Sequence, residues 1–589
     1  MNKINFEAPG IYLFPHDFYD KKECRFGSYT AFVIGHLGSS YKKNGWTLFL
    51  DGILIDRPKK ELSDAEFALE LFLEKGIKEL QQTNGFYNIL IINSSGSEIL
   101  FLSDLLCNRT WYLYQNDKVF GLSPSPVYFS KLNFDTSLNE QALYEQIRLL
   151  HTGGERTLVN EIKRILPGKI YKISENTFHQ IASFKFKQEP DHSLNLDECS
   201  EELANLCRTA IQGVINHPKL KDLPTQLPLT GGLDSRHLLG ELFAQGKPPE
   251  LLRHILIQQK DYVPVKKMAD DLKLPLKVNN LEQINTKINV KRWVNRSGGL
   301  VNIHQYYLLD LKNGIPQDKT ISFNGYLMDI LLGLAVKTDK LDSNSPHKTV
   351  WNRTYSSPTI RKLLIPNEAH WSKVTEELFI NEIEQFEGEP WFKMLMLDIH
   401  HRGLHYTGIV DSILADEVFS FSPGATIEAY RFAATSPHEI AGDKKARLHA
   451  LQKYFPKMAA YPGLEGKSFA DMEIRPEIIE HPFKKNLKLI IKTILSGFKQ
   501  NYNAETEHSW IRNHPDLHII HKNMIFDSKL AEDGYIRNLG LKTCWKLNQM
   551  GGYQGWTLMS LLSAEVAYRI LIKGEDEKNV LNWLHNPIN

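Results

Sequence analysis

The residues whose types and spacing could do chemistry lie in the stretch Leu227-Pro228-Leu229-Thr230-Gly231-Gly232-Leu233-Asp234-Ser235-Arg236. An apolar run ends in a hydroxyl residue and two glycines. An acid, a serine and a cation follow, and then the helical spacing of His237 to Leu242. Read physically, a strand stops, the backbone turns tightly, and a helix begins with its N–H groups aimed into the turn. Such a turn suits a phosphate, because glycine permits close backbone approach and a helix start carries partial positive charge. Asp234 beside bare phosphate would set two anions against each other; a hard cation such as Mg2+ between them resolves the conflict. No lysine follows Gly232, so this is not the Gly-Lys-Ser/Thr phosphate loop. The plain alternative is an ordinary glycine turn before a helix.

One such loop needs a second acid at a neighbouring strand end. Thr320-Ile321-Ser322-Phe323-Asn324-Gly325-Tyr326-Leu327-Met328-Asp329-Ile330-Leu331-Leu332-Gly333 supplies it: an apolar run ends near Gly325, and Asp329 stands four residues on. Its plain alternative is an acid capping a helix near a core strand.

The elements that must position these acids belong to a chain of 589 residues, too long for one core and expected to form several domains. Net charge is +1 and 42% of residues are hydrophobic, which implies no basic face and no nucleic-acid partner. Cys24, Cys107, Cys199, Cys207 and Cys544 show no metal spacing, so a reduced cytoplasmic setting is the simplest reading. No run of about 18 apolar residues marks a membrane helix, and the N-terminus lacks a signal-peptide core.

Residues 1–185 read as β-rich, with a hairpin expected at Asp51-Gly52, a helix over Glu66–Leu73, strands over Asn84–Ile92 and Ile99–Asp104, and a hairpin from Arg109–Tyr114 to Val119–Ser123. Lys185–Ser193 reads as a charged linker. A helix over Leu196–Val214 follows. Leu251–Ile257 and Leu274–Val278 read as strands flanking a helix over Val263–Leu272, which predicts a parallel α/β sheet over 186–480. Residues 481–589 read as a helical extension.

The loop Thr230–Ser235 resembles the pyrophosphate loop of the asparagine synthetase superfamily, with Thr230 in place of the usual serine. Gly325-Tyr326, Asp329-Ile330 and Leu332-Gly333 look like the second motif of its β-lactam synthetase branch, with Leu327 where that motif carries a glycine. The order of elements before residue 185 is similar to the class II glutamine amidotransferase domain that precedes the synthetase domain. Asn84, Gly85, Asp104, Arg109 and Tyr114 stand in its characteristic places.

The resemblance implies an N-terminal-nucleophile αββα sandwich followed by a parallel-sheet ATP-pyrophosphatase domain with helical additions. It implies ATP and Mg2+ as cofactors and an AMP-forming ligase joining a small-molecule or peptide carboxylate to an amine. Thr230, Gly231, Gly232, Leu233 and Ser235 would cradle pyrophosphate, Ile257 and Gly325 would border the nucleotide, and Asp234 and Asp329 would hold the metal. Arg236 and Lys467 would offset charge, with Lys457 second to Lys467, while Tyr326 and His405 would handle the amine's proton. Asp261 would also border the nucleotide, and Asp416-Glu417 falls where a carboxylate partner of Tyr326 is expected. Active amidotransferases expose a cysteine as their terminal residue, its own α-amine serving as base. Here Asn2 and Lys3 follow Met1, so no ammonia from glutamine is expected. A lasso-type peptide cyclase, a polysaccharide-pathway amidating enzyme and a non-catalytic nucleotide-binding scaffold stay open, as does a homodimer or pathway-enzyme partner.

Overall fold

The computed structural model describes residues 4, 6–15, 25–57, 61–117, 119–174, 177–255, 262–280, 286–305, 319–336, 338, 341–409, 411–415, 417–463, 467–474 and 507–587. Twelve strands come first: β1 (Gly10–Pro15), β2 (Arg25–Phe26), β3 (Tyr29–Ile34), β4 (Gly38–Lys43), β5 (Trp46–Leu54), β6 (Gly85–Asn93), β7 (Glu98–Ser103), β8 (Tyr112–Gln115), β9 (Phe120–Ser123), β10 (Ile162–Arg164), β11 (Lys169–Ser174) and β12 (Thr177–Ser183). They form two antiparallel six-stranded sheets, ordered β10-β8-β9-β1-β3-β2 and β12-β11-β7-β6-β5-β4.

Strand periodicity makes the layers. Successive side chains point to opposite faces, so Ile11 and Leu13 of β1 meet Phe49, Leu90, Ile92 and Phe101 between the sheets. Tyr12 and Phe14 turn the other way, onto Phe129, Phe134 and Tyr144 of the helical side. On the far face of the second sheet, Leu48, Leu50, Ile89 and Ile91 lie under the helix Asp64–Lys75, capped by Ser63. The order is helix, sheet, sheet, helix.

The hairpin expected at Asp51-Gly52 is not there. β5 runs unbroken through both residues, with Asp51 opposite Asn88 and Gly52 opposite Tyr87. Gly52 has φ +124°, and a Cβ on it would stand 1.9 Å from the Phe86 carbonyl oxygen, so this glycine serves close backbone approach. The turn is at Asn44-Gly45, both with positive φ, between β4 and β5.

Five further strands, β13 (Thr225–Pro228), β14 (Glu250–Ile255), β15 (Leu276–Asn280), β16 (Thr320–Phe323) and β17 (Val418–Phe421), make a wholly parallel sheet ordered β15-β14-β13-β16-β17. The chain walks outward from β13 to β15, then returns to the other side of β13. The strand order therefore reverses between β13 and β16, and in open α/β sheets the crevice at such a point is where ligands bind. The helices Leu196–Ile215, Leu233–Ala244 and Lys445–Tyr454 pack on one another beside this sheet.

Lys185–Ser193 is no loose spacer. Phe186 is buried, and Gln188, Glu189 and Asp191 donate their N–H groups to the carbonyls of Glu387, Ala434 and Thr435 at 2.9, 2.8 and 2.7 Å. The C-terminal helices also reach the sandwich: Gly555–Ala567 packs on Glu140–Leu149, and Ser130 Oγ donates to the Ile570 carbonyl at 2.7 Å. No helix among the described residues is long and apolar enough to cross a membrane.

Candidate functional site

β13 ends at Pro228, and the helix Leu233–Ala244 begins after Gly232, which has an extended backbone and no side-chain cap. Between them the loop is tied to itself. Ser235 Oγ donates to the Thr230 carbonyl at 2.9 Å and accepts from the Thr230 N–H at 3.1 Å, while the Gly232 N–H donates to Thr230 Oγ1 at 3.1 Å. The hydroxyls at both ends thus fix the turn, leaving the uncapped helix start facing outward. Behind it, Gly240 lets the helix approach the Phe455 ring, which a Cβ would meet at 2.5 Å.

The loop after β16 is pinned to β17. Asn324 Nδ2 donates to Ser420 Oγ at 2.6 Å, Asn324 Oδ1 accepts from the Tyr326 N–H at 2.9 Å, and Ser422 Oγ donates to the Tyr326 carbonyl at 2.6 Å. Leu327 stands at φ +57°, the left-handed region that glycine favours, so the turn keeps a glycine-like backbone with a leucine in it. Its buried side chain offsets a backbone cost of about 1–2 kcal/mol. Gly424 presses on this turn from the next segment, where a Cβ would lie 2.4 Å from the Met328 nitrogen.

These two loops bring Asp234, Gly325 and Asp329 together. A Cβ on Gly325 would lie 2.8 Å from Asp234 Oδ2, so Gly325 makes the room the carboxylate fills. The two acids share one guanidinium: Arg447 Nη1 lies 2.7 Å from Asp329 Oδ1, and Arg447 Nη2 contacts Asp234 Oδ1. Lys444 Nζ holds the other Asp329 oxygen, Oδ2, at 2.6 Å. Burial pushes the Asp234 carboxyl above its usual range despite Arg447. Burial acts on Asp329 in the same sense, but Arg447 and Lys444 prevail and hold it low.

The donor chemistry suits a hard divalent cation. Two carboxylates converge from the turns that follow neighbouring strands, and Mg2+ characteristically takes one or two protein carboxylates, completing its octahedron with water and phosphate oxygens. Among the described residues no third His, Cys, Asp or Glu joins them.

Several expected residues are placed elsewhere. Arg236 is fully buried, turned away from the loop, and donates to the carbonyls of Tyr461 and Pro462 at 2.6 Å each and of Met458 at 3.3 Å. It is a strut beneath Met458, Tyr461, Pro462 and Phe469 rather than a charge facing the loop. His405 is buried with both ring nitrogens engaged, Nε2 donating to the Gly154 carbonyl at 2.6 Å and Nδ1 standing 3.1 Å from Thr152 Oγ1. Burial drives its pKa well below the ordinary value, so it is a neutral joint between the sandwich and the rest of the chain. Lys467 and Lys457 are exposed and outside the described ion pairs with either acid. Tyr326 donates its hydroxyl to the Gly403 carbonyl at 3.0 Å, on the wide-turn helix Ile399–Thr407. Ile257, Asp261 and Asp416 lie outside the described residues.

Arg447 and Lys444 were not anticipated. The signal was present: Lys444, Lys445 and Arg447 crowd the start of a helix with no acid in its first turn. Cations there oppose the helix dipole, so they need carboxylates from elsewhere.

In the sandwich, Asp104 accepts from the N–H groups of Tyr87, Leu106 and Asn108 and from Asn108 Nδ2, while burial raises its carboxyl to about 7. Arg109 forks onto Asp51 at 2.7 and 2.8 Å, Asn84 donates to Asp56 at 3.1 Å, and Tyr114 donates to the Asp135 carbonyl at 2.6 Å. Phe6, upstream of β1, stacks on Tyr128, and Tyr128 Oη accepts from the Glu7 N–H at 2.8 Å. Cys107 is buried, and burial pushes its thiol up.

A second network locks the sandwich to the segment 382–405. Arg156 bridges Glu145 and Glu382 at 2.9 and 2.6 Å, and Glu382 Oε2 lies 2.5 Å from His401 Nε2. Burial acts to raise the Glu382 pKa, but His401 and Arg156 override it and bring it to about 2. A lowered carboxyl contributes stability that is present above its unfolded pKa and lost as pH falls through the folded one. Glu382→Gln is therefore expected to destabilise the protein by about 3 kcal/mol near neutral pH. Urea midpoints should show the wild type losing this component between about pH 4.5 and 2, and the variant lacking it.

Set beside known proteins, residues 56–184 match the glutamine amidotransferase domain family. No curated protein matches the chain. Among solved structures, the allosteric regulatory enzyme of purine biosynthesis is 10% identical, covering 46% of this chain and 74% of its own, with a TM-score of 0.22. A glutamine phosphoribosylpyrophosphate amidotransferase from B. subtilis, complexed with ADP and GMP, is 13% identical, covering 50% and 67%, with a TM-score of 0.20. At those scores neither adds to the assignment, which rests on the family match and on the layered sandwich that contains it. The segment 56–184 is a glutamine amidotransferase-like domain, set in a chain that also carries a parallel α/β sheet.

Proposed function

We propose that the chain is an ATP-dependent ligase that adenylates a carboxylate, releases pyrophosphate and couples the acyl group to an amine without hydrolysing glutamine. The observation that carries this reading is the meeting of Asp234 and Asp329 on the helical turns that follow β13 and β16, on either side of the point where strand order reverses. A magnesium ion held there would neutralise the departing pyrophosphate and polarise the phosphorus under attack. The chain's own part is positional. The uncapped start of Leu233–Ala244 offers N–H groups to phosphate, and Thr230 with Ser235 fixes the turn that aims them. Asp234 and Asp329 would hold the cation, and Gly325 gives Asp234 its place.

The substrate carboxylate oxygen attacks the α-phosphorus, the bond to the β-phosphate oxygen breaks, and pyrophosphate leaves. The amine nitrogen then attacks the acyl carbon, the bond from that carbon to the AMP phosphate oxygen breaks, and the amine's proton passes to the departing phosphate or to solvent. Tyr326 stands by the second loop with its hydroxyl on Gly403, where it can orient the acyl group.

The amidotransferase-like domain supports amide chemistry in general, but the residues heading β1 are Ala8 and Pro9. That strand head carries neither a thiol nor a free amine, and Cys107 is sealed in the core, so the domain serves as a docking partner. The test is exchange of labelled pyrophosphate into ATP with a panel of carboxylates, alongside glutamate release from glutamine. Exchange with one carboxylate class and no glutamate release is expected; glutamate release would sink the second half of the reading. A nucleotide-binding scaffold is the second reading, favoured by the pairing of both acids with resident cations. Binding of magnesium and ATP without exchange for any carboxylate would select it.

A further inference from the structure

Resting on the reading of the acid pair as a cation site, we propose that Lys444 is a resident counter-ion that yields Asp329 to a divalent cation, while Arg447 stays as the fixed clamp behind both acids. The two cations are placed differently. Arg447 has a wholly buried side chain and contacts the Oδ1 atoms of Asp329 and Asp234. Lys444 is 41% exposed and reaches the remaining oxygen of Asp329, Oδ2, from the solvent side. Its backbone cannot follow its side chain. The Lys444 N–H donates to the Gly333 carbonyl at 2.8 Å, and the Asp443 N–H donates to that of Leu334 at 3.2 Å. Both Asp443 and Lys444 have positive φ, so the main chain is stitched to the end of the second loop and only the flexible stem can swing.

Charge arithmetic gives this arrangement a consequence. Two carboxylates facing one guanidinium and one ammonium are already neutral. A divalent cation entering alone would meet an occupied oxygen and a repelling ammonium within a few ångströms. Entering with a triphosphate, it brings its own compensating charge, and the displaced ammonium has an anion to face. Lys444 thus makes cation binding conditional on nucleotide.

The test uses Mn2+ alone with the full chain, read by electron paramagnetic resonance of free Mn2+, and Mn2+ with ATP, read by calorimetry. Lys444→Gln is expected to bind Mn2+ alone about three- to tenfold more tightly than the wild type. Lys444→Arg should restore the weaker wild-type binding, and Asp329→Asn should abolish binding in every background. Equal Mn2+ affinity in the wild type and Lys444→Gln would overturn the counter-ion role. If the wild type binds Mn2+ neither alone nor with ATP, the cation reading of the acid pair fails, and this inference with it.

Discussion

Asp234→Asn is expected to reduce pyrophosphate exchange at least about a hundredfold, because it removes charge from a group proposed to hold the cation while leaving its shape. The amide keeps the volume that Gly325 accommodates and one acceptor for Arg447, which still has Asp329 to pair with. The fold should therefore survive, and circular dichroism would confirm it. Asp329→Asn should behave alike, whereas Thr230→Ala, which removes only a turn-fixing hydroxyl, should lose about tenfold or less. Exchange at wild-type rates in Asp234→Asn would show that this carboxylate is not a metal ligand.

Arg447→Met should act on stability instead. It leaves two carboxylates side by side, one of them mostly buried, with only the half-exposed Lys444 to compensate. Removing one partner of a fully buried ion pair costs about 3–5 kcal/mol, but the two carboxylates keep 27% and 44% of their side chains exposed, so about 1–3 kcal/mol is expected here. The urea transition that reports on the parallel sheet should shift by that amount. The double variant Asp234→Asn/Arg447→Met should recover part of the loss, because removing one acid also removes the repulsion. Additive losses would mean that Arg447 supports the helix Lys445–Tyr454 by packing rather than by charge.

The parts of the fold legible in the sequence were those with local causes. The helix Asp64–Lys75, the pair β6–β7 and the turn into Leu233–Ala244 follow from apolar period, caps and glycines within a short window. Asp51-Gly52 was misread because an Asp-Gly pair signals a turn unless a partner strand demands continuity, and that partner, β6, lies thirty-odd residues on. That the two acids meet was legible because each stands in the turn that follows its own strand. Their cations were not, since Lys444 and Arg447 reach the acids from a third element whose position only the packed helices define. His405 and Arg236 misled for the opposite reason. Their types suit chemistry, but burial and carbonyl partners commit them to structure.

The reversal of strand order between β13 and β16 also sets a timetable. The halves of the acid pair sit on turns that follow β13 and β16, strands that meet only after β14, β15 and their helices have been laid down on the far side. Closing so long a loop carries an entropic barrier that local helices do not face, so the last event of refolding should be the one that joins Asp234 to Asp329. Helical signal should return first, and nucleotide-dependent signals should lag behind it. A chain stalled partway would hold the two acids apart and so lack the proposed cation site.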